Sequence, residues 1–190
     1  MANATASPTV PALCARFKLD AAVAALARAE HDPPAFLAAL VDAEQYAGAV
    51  SFLAHSLPQR EAIWWAWTCA RRTAPAERPP AVDLALDATE RWLAQPTEAN
   101  RRPTLDRAEE AGLTSAAGCA ALAAFLSGGS IAPAGSPDVA APEFAAARAV
   151  AGSVILSAVS PPPKDAPERF RQYIAQGLEV ARRIKLWPSA

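Results

Sequence analysis

The sequence has few of the residues on which most catalytic and metal sites depend. It contains two histidines, His31 and His55, and three cysteines, Cys14, Cys69 and Cys119, which lie far apart along the chain. Because no Cys-x-x-Cys pair and no Cys/His cluster is present, we expect neither a zinc site nor a disulfide framework. The cysteines are predicted to be thiols, buried or partly exposed, in a reducing cytoplasm.

Motifs for nucleophilic catalysis and for phosphate binding are also missing. No Gly-x-Ser-x-Gly is present, and only two histidines are available to act as the base of a catalytic triad. The segment Ser127–Ser130 (SGGS) lacks the Gly-Lys-Ser/Thr and the preceding strand of a phosphate loop, so a helix end followed by a turn is the better interpretation. We therefore predict a protein that is not an enzyme, with no catalytic residue, no metal and no cofactor.

Charge and hydropathy argue against two classes of partner. The formal net charge is −1 over 190 residues, which provides no overall attraction to nucleic acid or to an anionic membrane. Every apolar run is interrupted well before the ~20 residues that a membrane-spanning helix needs. The N-terminal segment does not have the pattern of a signal peptide, so we expect a cytoplasmic protein.

Alanine and proline are the abundant residues of this sequence. Hydrophobic residues make up 52% of the chain, and many of them are alanine, the best helix former. The 18 prolines divide a helical chain into short pieces, and no segment has the two-residue alternation of a strand. We predict an all-α fold, a compact bundle of short helices in hairpins, either orthogonal or solenoid-like. A single helical domain over residues 15–190 follows a flexible N-terminal tail over residues 1–14.

Local signals mark several helix starts. Asp20 and Asp32 precede apolar stretches with helical spacing and are predicted N-caps. Thr97 and Ser115 are predicted to cap two later helices. Pro103 interrupts the stretch that follows Thr97, so that helix is either kinked at the proline or begins there.

The segment from Pro58 to Arg72 is the most distinctive one, because it holds three of the five tryptophans. On a helix Trp64 and Trp67 lie near each other, whereas Trp65 points to another flank. A helix that is apolar over so much of its circumference is usually central and packed on several sides. We predict that Trp64 and Trp67 fill the core, and that Trp65 or Trp92 is a candidate anchor for a partner.

Paired arginines are the other candidate feature. Arg71-Arg72 and Arg101-Arg102 can each bind acidic groups inside the fold or form part of a docking surface, and we favour internal pairing. The predicted binding residues are Arg60, Glu61, Trp65, Arg71, Arg72, Arg101 and Arg102.

Four segments together resemble one protein family. They are LPQREAIWWAWTCAR (57–71), PTEANRRPTLDRAEEAGL (96–113), AALAAFLSGGSIAP (120–133) and ARAVAGSVILSAV (147–159). The pattern LPxREAxWWAxxCAR, an ENRR-like segment and FxSGGSxAP, in this order, resembles an uncharacterised bacterial family of helical proteins, a domain of unknown function. The resemblance extends from Arg16 to Trp187. Pro103 departs from it, because the family has a helix former after the paired arginines.

The resemblance implies an accessory role in secretion. Members of this family look like companions of contractile-injection or type VI secretion components, which implies effector loading or chaperoning. A non-enzymatic adaptor or chaperone that binds another protein is accordingly our first hypothesis. The alternative is a small ligand-binding protein or enzyme that holds an anionic ligand among its arginines, with the loop 127–130 as a lid. Arginines that are paired internally, with no pocket between them, would exclude the alternative.

Overall fold

The chain folds into short α-helices in a computed structural model that describes residues 8–133 and 135–187. The helices are α1 (Val10–Phe17), α2 (Ala21–Ala24), α3 (Pro33–Asp42), α4 (Tyr46–Ser56), α5 (Gln59–Thr73), α6 (Pro80–Ala94), α7 (Glu98–Arg101), α8 (Pro103–Ala111), α9 (Ala116–Phe125), α10 (Ala145–Ala158) and α11 (Ala166–Arg183). Residues 163–165 form a 3-10 turn before α11. These described ranges contain no β-strand, and a single β-bridge joins Ser130 to Ala140. The predicted all-α fold is confirmed.

Helices α9 and α10 occupy the centre of the molecule. Helix α10 contacts α4, α5, α9 and α11, while α9 also contacts α5, α6 and α8. In a solenoid each helix pair would contact only its neighbours along the chain. Because α4 and α5 pack against helices from the far end of the sequence, the fold is a bundle around a common core.

Small side chains allow these helices to approach closely. One cluster of buried residues between α5, α6, α8 and α9 consists of Ala70, Ala85, Leu86, Ala108, Ala117 and Ala121. A second and larger cluster of buried residues includes Leu53 of α4 and Trp65 of α5. Gly177 of α11 packs against both, and a Cβ at this position would lie 2.5 Å from Leu53 Cδ2 and 2.9 Å from Trp65 Cε2. Glycine is therefore required where α11 crosses the tryptophan helix.

The predicted helix starts are confirmed. The side chains of Asp20, Asp32, Thr97 and Ser115 each accept a hydrogen bond from a backbone N–H in the first turn of the following helix, at 2.7 to 3.3 Å. Pro103 begins α8, and Arg102, the one residue between α7 and α8, keeps helical backbone angles (φ −54°, ψ −50°), so the helical path is interrupted only beside the proline.

The predicted N-terminal boundary is wrong for the part that the structure describes. Residues 1–7 of the predicted tail lie outside the described residues, but α1 begins at Val10. Val10, Cys14 and Phe17 are all buried, and their spacing along α1 places them on one face of the helix. The Phe17 ring packs edge-on against Phe52 of α4, so burial stabilises a helix whose composition resembled a tail.

Candidate functional site

The predicted binding residues do not come together. Arg60 and Arg71 lie near opposite ends of α5, roughly 16 Å apart at the rise of an α-helix. Arg101 belongs to α7, where it turns inward toward the loop that follows α9. An arginine-lined site of the predicted composition is therefore not assembled in this fold.

Arg101 is a buried structural residue. Its side chain is only 4% exposed, and its Nε and Nη2 donate to the two carboxylate oxygens of Glu98 at 2.6 and 2.7 Å. The same guanidinium donates to the backbone carbonyls of Phe125 and Ser130, the latter at 2.8 Å. A buried arginine is stable only when its N–H donors are satisfied in this way.

Arg102 extends the same arrangement. Its Nε donates to Glu98 Oε1 at 2.7 Å, and its Nη1 donates to the carbonyl of Ala132. We call Glu98, Arg101 and Arg102 the arginine clamp. It joins the ENRR-like segment to the end of α9 and to the loop that follows, through the backbone carbonyls of Phe125, Ser130 and Ala132. A phosphate site would use the N–H groups of such a loop instead. Internal pairing of Arg101 and Arg102 agrees with the favoured interpretation.

The clamp also explains one glycine of the loop. Gly129 has a φ of +63°, and a Cβ at this position would lie 3.0 Å from both Arg101 Nη2 and Glu98 Oε2. The backbone conformation and the lack of space both require glycine here.

We predict that the folded protein loses stability in acid as Glu98 becomes protonated. Hydrogen bonds from Arg101 and then Arg102 lower the pKa of Glu98 from 4.5 to about 2. The carboxylate therefore stabilises the fold fully above its unfolded pKa, and this contribution is lost as the pH falls from about 4.5 toward 2. Because Glu98 is about half exposed, we expect Glu98→Gln to lower the free energy of unfolding by about 1 kcal/mol at neutral pH.

Urea titrations of both proteins between neutral pH and pH 3 test this prediction. The difference between wild type and Glu98→Gln should shrink as the solution becomes more acidic. A difference that stays constant across this range would contradict a role for the ionised carboxylate in the clamp.

Internal pairing, the favoured interpretation, does not hold for Arg71 and Arg72, because this pair lies on the surface at the end of α5. Arg71 is half exposed, forms an ion pair with Glu90 at 3.4 Å and lies over the Trp67 ring, 5.3 Å from its centroid. Arg72 is exposed. Exposed ion pairs of this kind contribute little to stability, so neither residue is a structural counterpart of Arg101.

The predicted roles of the neighbouring tryptophans are reversed in the structure. Trp65 has no exposed surface, and its Nε1 donates to the carbonyl of Tyr173 at 2.9 Å. Trp65 therefore cannot anchor a partner, and neither can Trp92, which is also buried. Trp64, which we predicted in the core, is 39% exposed. Trp67 is half-buried, and its Nε1 donates to the Leu86 carbonyl at 3.0 Å.

The exposed Trp64 lies in a groove between α5, the end of α6 and the end of α11. We call it the Trp64 groove, and its volume is about 270 Å³. It is lined by Arg60, Glu61, Trp64, Leu93, Val180, Arg183 and Ile184. Two predicted binding residues, Arg60 and Glu61, therefore lie beside a tryptophan, but it is Trp64 and not Trp65.

The walls of the Trp64 groove are held in different ways. Arg60 is fixed, because its guanidinium donates twice to the carbonyl of Leu93, at 3.1 Å from Nε. Arg183 is 75% exposed and forms a surface ion pair with Glu179 at 3.2 Å. Ile184 directly follows the last residue of α11 and is 39% exposed. Val180, Arg183 and Ile184 were not predicted as binding residues.

Metal binding and cysteine chemistry have little support in this fold. Within the described ranges, no group of three or more His, Cys, Asp or Glu side chains could hold a metal ion. Burial raises the pKa of the thiols of Cys14, Cys69 and Cys119, which makes them weak nucleophiles. Across residues 8–133 and 135–187, no helix combines the length and the apolarity that crossing a bilayer requires.

The family of unknown function DUF6931 matches residues 36–181. The chain belongs to this family. The predicted membership in an uncharacterised family is thereby confirmed, and the DUF6931 match runs from α3 into α11. It includes the arginine clamp and most of the Trp64 groove. No curated protein and no solved structure matches the chain.

Proposed function

We propose that this DUF6931 protein is a non-enzymatic adaptor or chaperone that binds another protein through the Trp64 groove. The observation that carries the proposal is the pair Trp64 and Ile184, two large apolar side chains that are each 39% exposed and line the same groove. Tryptophan and arginine are the residues most often found at the energetic centre of protein interfaces. An exposed tryptophan beside a fixed Arg60 has this composition.

The size of the groove favours a protein partner. Its volume of about 270 Å³ lies below the usual range for small-molecule pockets, which begins near ~300 Å³. Such a groove accepts one or two apolar side chains, while the surrounding surfaces of α5 and α11 provide the rest of an interface. Insertion of a large apolar side chain of the partner beside Trp64 would exclude water from that side chain and from Trp64.

The charges around the groove indicate the chemistry of the partner. Arg60 and Arg183 outnumber Glu61 in the lining, and Arg182 and Lys185 are exposed beside them. Glu179 forms ion pairs with Arg182 and Arg183, so four basic groups stand against two carboxylates at this rim. A basic rim around an apolar centre favours an amphipathic helix that carries one large apolar residue flanked by aspartate or glutamate. We therefore expect an acidic, helical segment of the partner to occupy the groove.

The resemblance to type VI secretion accessory proteins suggests where to find the partner. Co-expression of the chain with the proteins encoded beside its gene, followed by affinity purification and gel filtration, tests the proposal. We expect one neighbour, an effector or an assembly component, to co-elute in a fixed ratio. If every neighbour elutes separately, the proposed function is wrong.

Trp64→Ala is expected to weaken this binding by about 30-fold, since truncation of a central tryptophan typically costs ~2 kcal/mol or more. Isothermal titration of the purified partner measures the effect. Leu84→Ala is the matched control, because Leu84 is 42% exposed on α6 and does not line the groove. Equal affinities for the two variants would contradict the assignment of the groove.

A further inference from the structure

A second candidate site lies between α1, α4 and the start of α10. Two cavities of about 550 and 580 Å³ adjoin here, and three residues line both of them: Arg16, His55 and Phe144. Each cavity has the volume of a typical small-molecule pocket. None of the three residues lines the Trp64 groove, so the cleft is independent of the proposed protein interface.

His55 lines both cavities and, in the described structure, has a ring nitrogen without a hydrogen-bond partner. Its Nδ1 lies 2.7 Å from the carbonyl oxygen of Ser51, and because a carbonyl can only accept, Nδ1 carries the hydrogen. In the neutral ring Nε2 is then a bare acceptor. This Nε2 is buried and finds no hydrogen-bond partner within the described residues. Burial lowers the pKa of His55, which favours the neutral ring. A buried acceptor without a donor is costly, and a ligand can supply the donor.

His31 lies on the wall of the larger cavity. Its Nδ1 is also buried without a hydrogen-bond partner in the part of the chain that the structure describes. The remaining walls are rich in aromatic rings, since Phe17, Phe144 and Trp187 line the same cavity. Aromatic walls with a few unsatisfied polar atoms are typical of sites for flat organic ligands.

Arg16 provides a positive charge at the wall that the two cavities share. It is exposed, and its guanidinium lies over the Phe144 ring at 5.7 Å from the centroid. Glu143 and Asp32 line one cavity each, yet among the described residues Arg16 forms no ion pair with either. An arginine whose charge is unpaired can bind a carboxylate through two parallel hydrogen bonds.

Phe144 lines both cavities and packs against His55. Its ring centroid lies 5.3 Å from that of His55, and its backbone is left-handed, with φ 61° and ψ 12°. A bulky residue in this conformation is strained, and such strain is concentrated at ligand sites. A ligand reaches the buried Nε2 of His55 only if a neighbouring ring moves, and Phe144 is one of the two phenylalanine rings packed beside His55.

We propose that this cleft binds a small aromatic carboxylate that carries a hydroxyl or N–H donor. The carboxylate pairs with Arg16, the donor forms a hydrogen bond to His55 Nε2, and the aromatic ring packs against Phe17 and Phe144. The ligand thus provides a negative charge for Arg16, a hydrogen-bond donor for His55 and an apolar surface for the two phenylalanines.

Titration calorimetry of the full chain with three related compounds tests this inference. We expect 3-(4-hydroxyphenyl)propionate to bind with a Kd on the order of 0.1 mM, as its size allows. We expect 3-phenylpropionate, which lacks the hydroxyl, and 3-(4-hydroxyphenyl)propanol, which lacks the carboxylate, to bind about 10-fold more weakly. No binding of the first compound, or equal affinity for all three, would overturn the inference.

Two variants assign the contacts. His55→Phe should remove the preference for the hydroxylated acid, and Arg16→Gln should remove the preference for acids over the alcohol. Because Arg16 is exposed, the second variant tests the site even if His55→Phe folds poorly. Arg91→Gln is the matched control, since Arg91 is exposed on α6 outside the cleft. If Arg16→Gln binds all three compounds as wild type does, the assignment of the carboxylate is wrong.

Discussion

Replacement of Trp65 with alanine is expected to lower the free energy of unfolding by about 4 kcal/mol. The side chain has no exposed surface, and it fills the space that Gly177 of α11 leaves against α5. Alanine would leave a large cavity there and would also remove the hydrogen bond to the Tyr173 carbonyl. Urea denaturation followed by circular dichroism measures the loss as a lower midpoint.

Trp64→Ala is the matched control for this experiment. The two tryptophans are adjacent in sequence, but Trp64 is 39% exposed and donates no buried hydrogen bond in the described structure. We expect this variant to lose no more than about 1 kcal/mol. Similar losses for both variants, or a larger loss for Trp64→Ala, would show that the orientation of α5 differs from the one described.

Arg101→Met is expected to lower the free energy of unfolding by about 3 kcal/mol. Methionine retains an apolar stem of similar length, so the loss reports chiefly on the guanidinium. Without it, the carbonyls of Phe125 and Ser130 would be left without their charged donor in a buried position. The loop after α9 would also lose its attachment to α7, so we expect limited proteolysis to cut within residues 127–141 faster than in wild type.

Arg71→Met distinguishes the clamp from a general effect of lost charge. Arg71 is about half exposed and contacts Glu90 on the surface, so its replacement should change stability by less than about 1 kcal/mol. An Arg101→Met protein as stable as Arg71→Met, with unchanged proteolysis of the loop, would contradict the structural role of the clamp.

Features that depend on neighbouring residues were predictable from the sequence. A side chain such as Asp32 or Ser115 caps a helix by reaching an N–H two or three residues away, and no distant part of the chain takes part. Pro103 restricts its own backbone, so a break at that position could be predicted, although its form could not. The all-α fold followed from the same local preferences.

Features that depend on packing were not predictable in the same way. Helical spacing separates Trp64 from Trp65 but does not say which of the two faces the core. The small residues of α5 indicated which face is buried: Ala62, Ala66 and Cys69 are buried and share a face with Trp65. Alanine-rich faces are easily overlooked beside tryptophan, because hydrophobic patterns are usually judged by the large residues.

The N-terminal helix and the candidate sites also depend on packing and could not be predicted from the sequence. Helix α1 has a tail-like composition and is stabilised by burial of Phe17 against α4, which only the tertiary structure shows. The paired arginines were recognised as candidates, but Arg101 faces the loop inside and Arg71 faces solvent. The Trp64 groove combines residues from α5, α6 and α11, so its composition could not be predicted before the fold was known.

Site-specific photo-cross-linking tests the proposed function most directly. A photoreactive phenylalanine analogue is incorporated at position 64 or, as a control, at position 84, and each protein is irradiated in the presence of the co-purifying partner. A contact through the Trp64 groove predicts a covalent product with the partner from position 64 and none from position 84. A product from position 84 alone, or from neither position while the complex is intact, would contradict the proposal that this groove binds the partner.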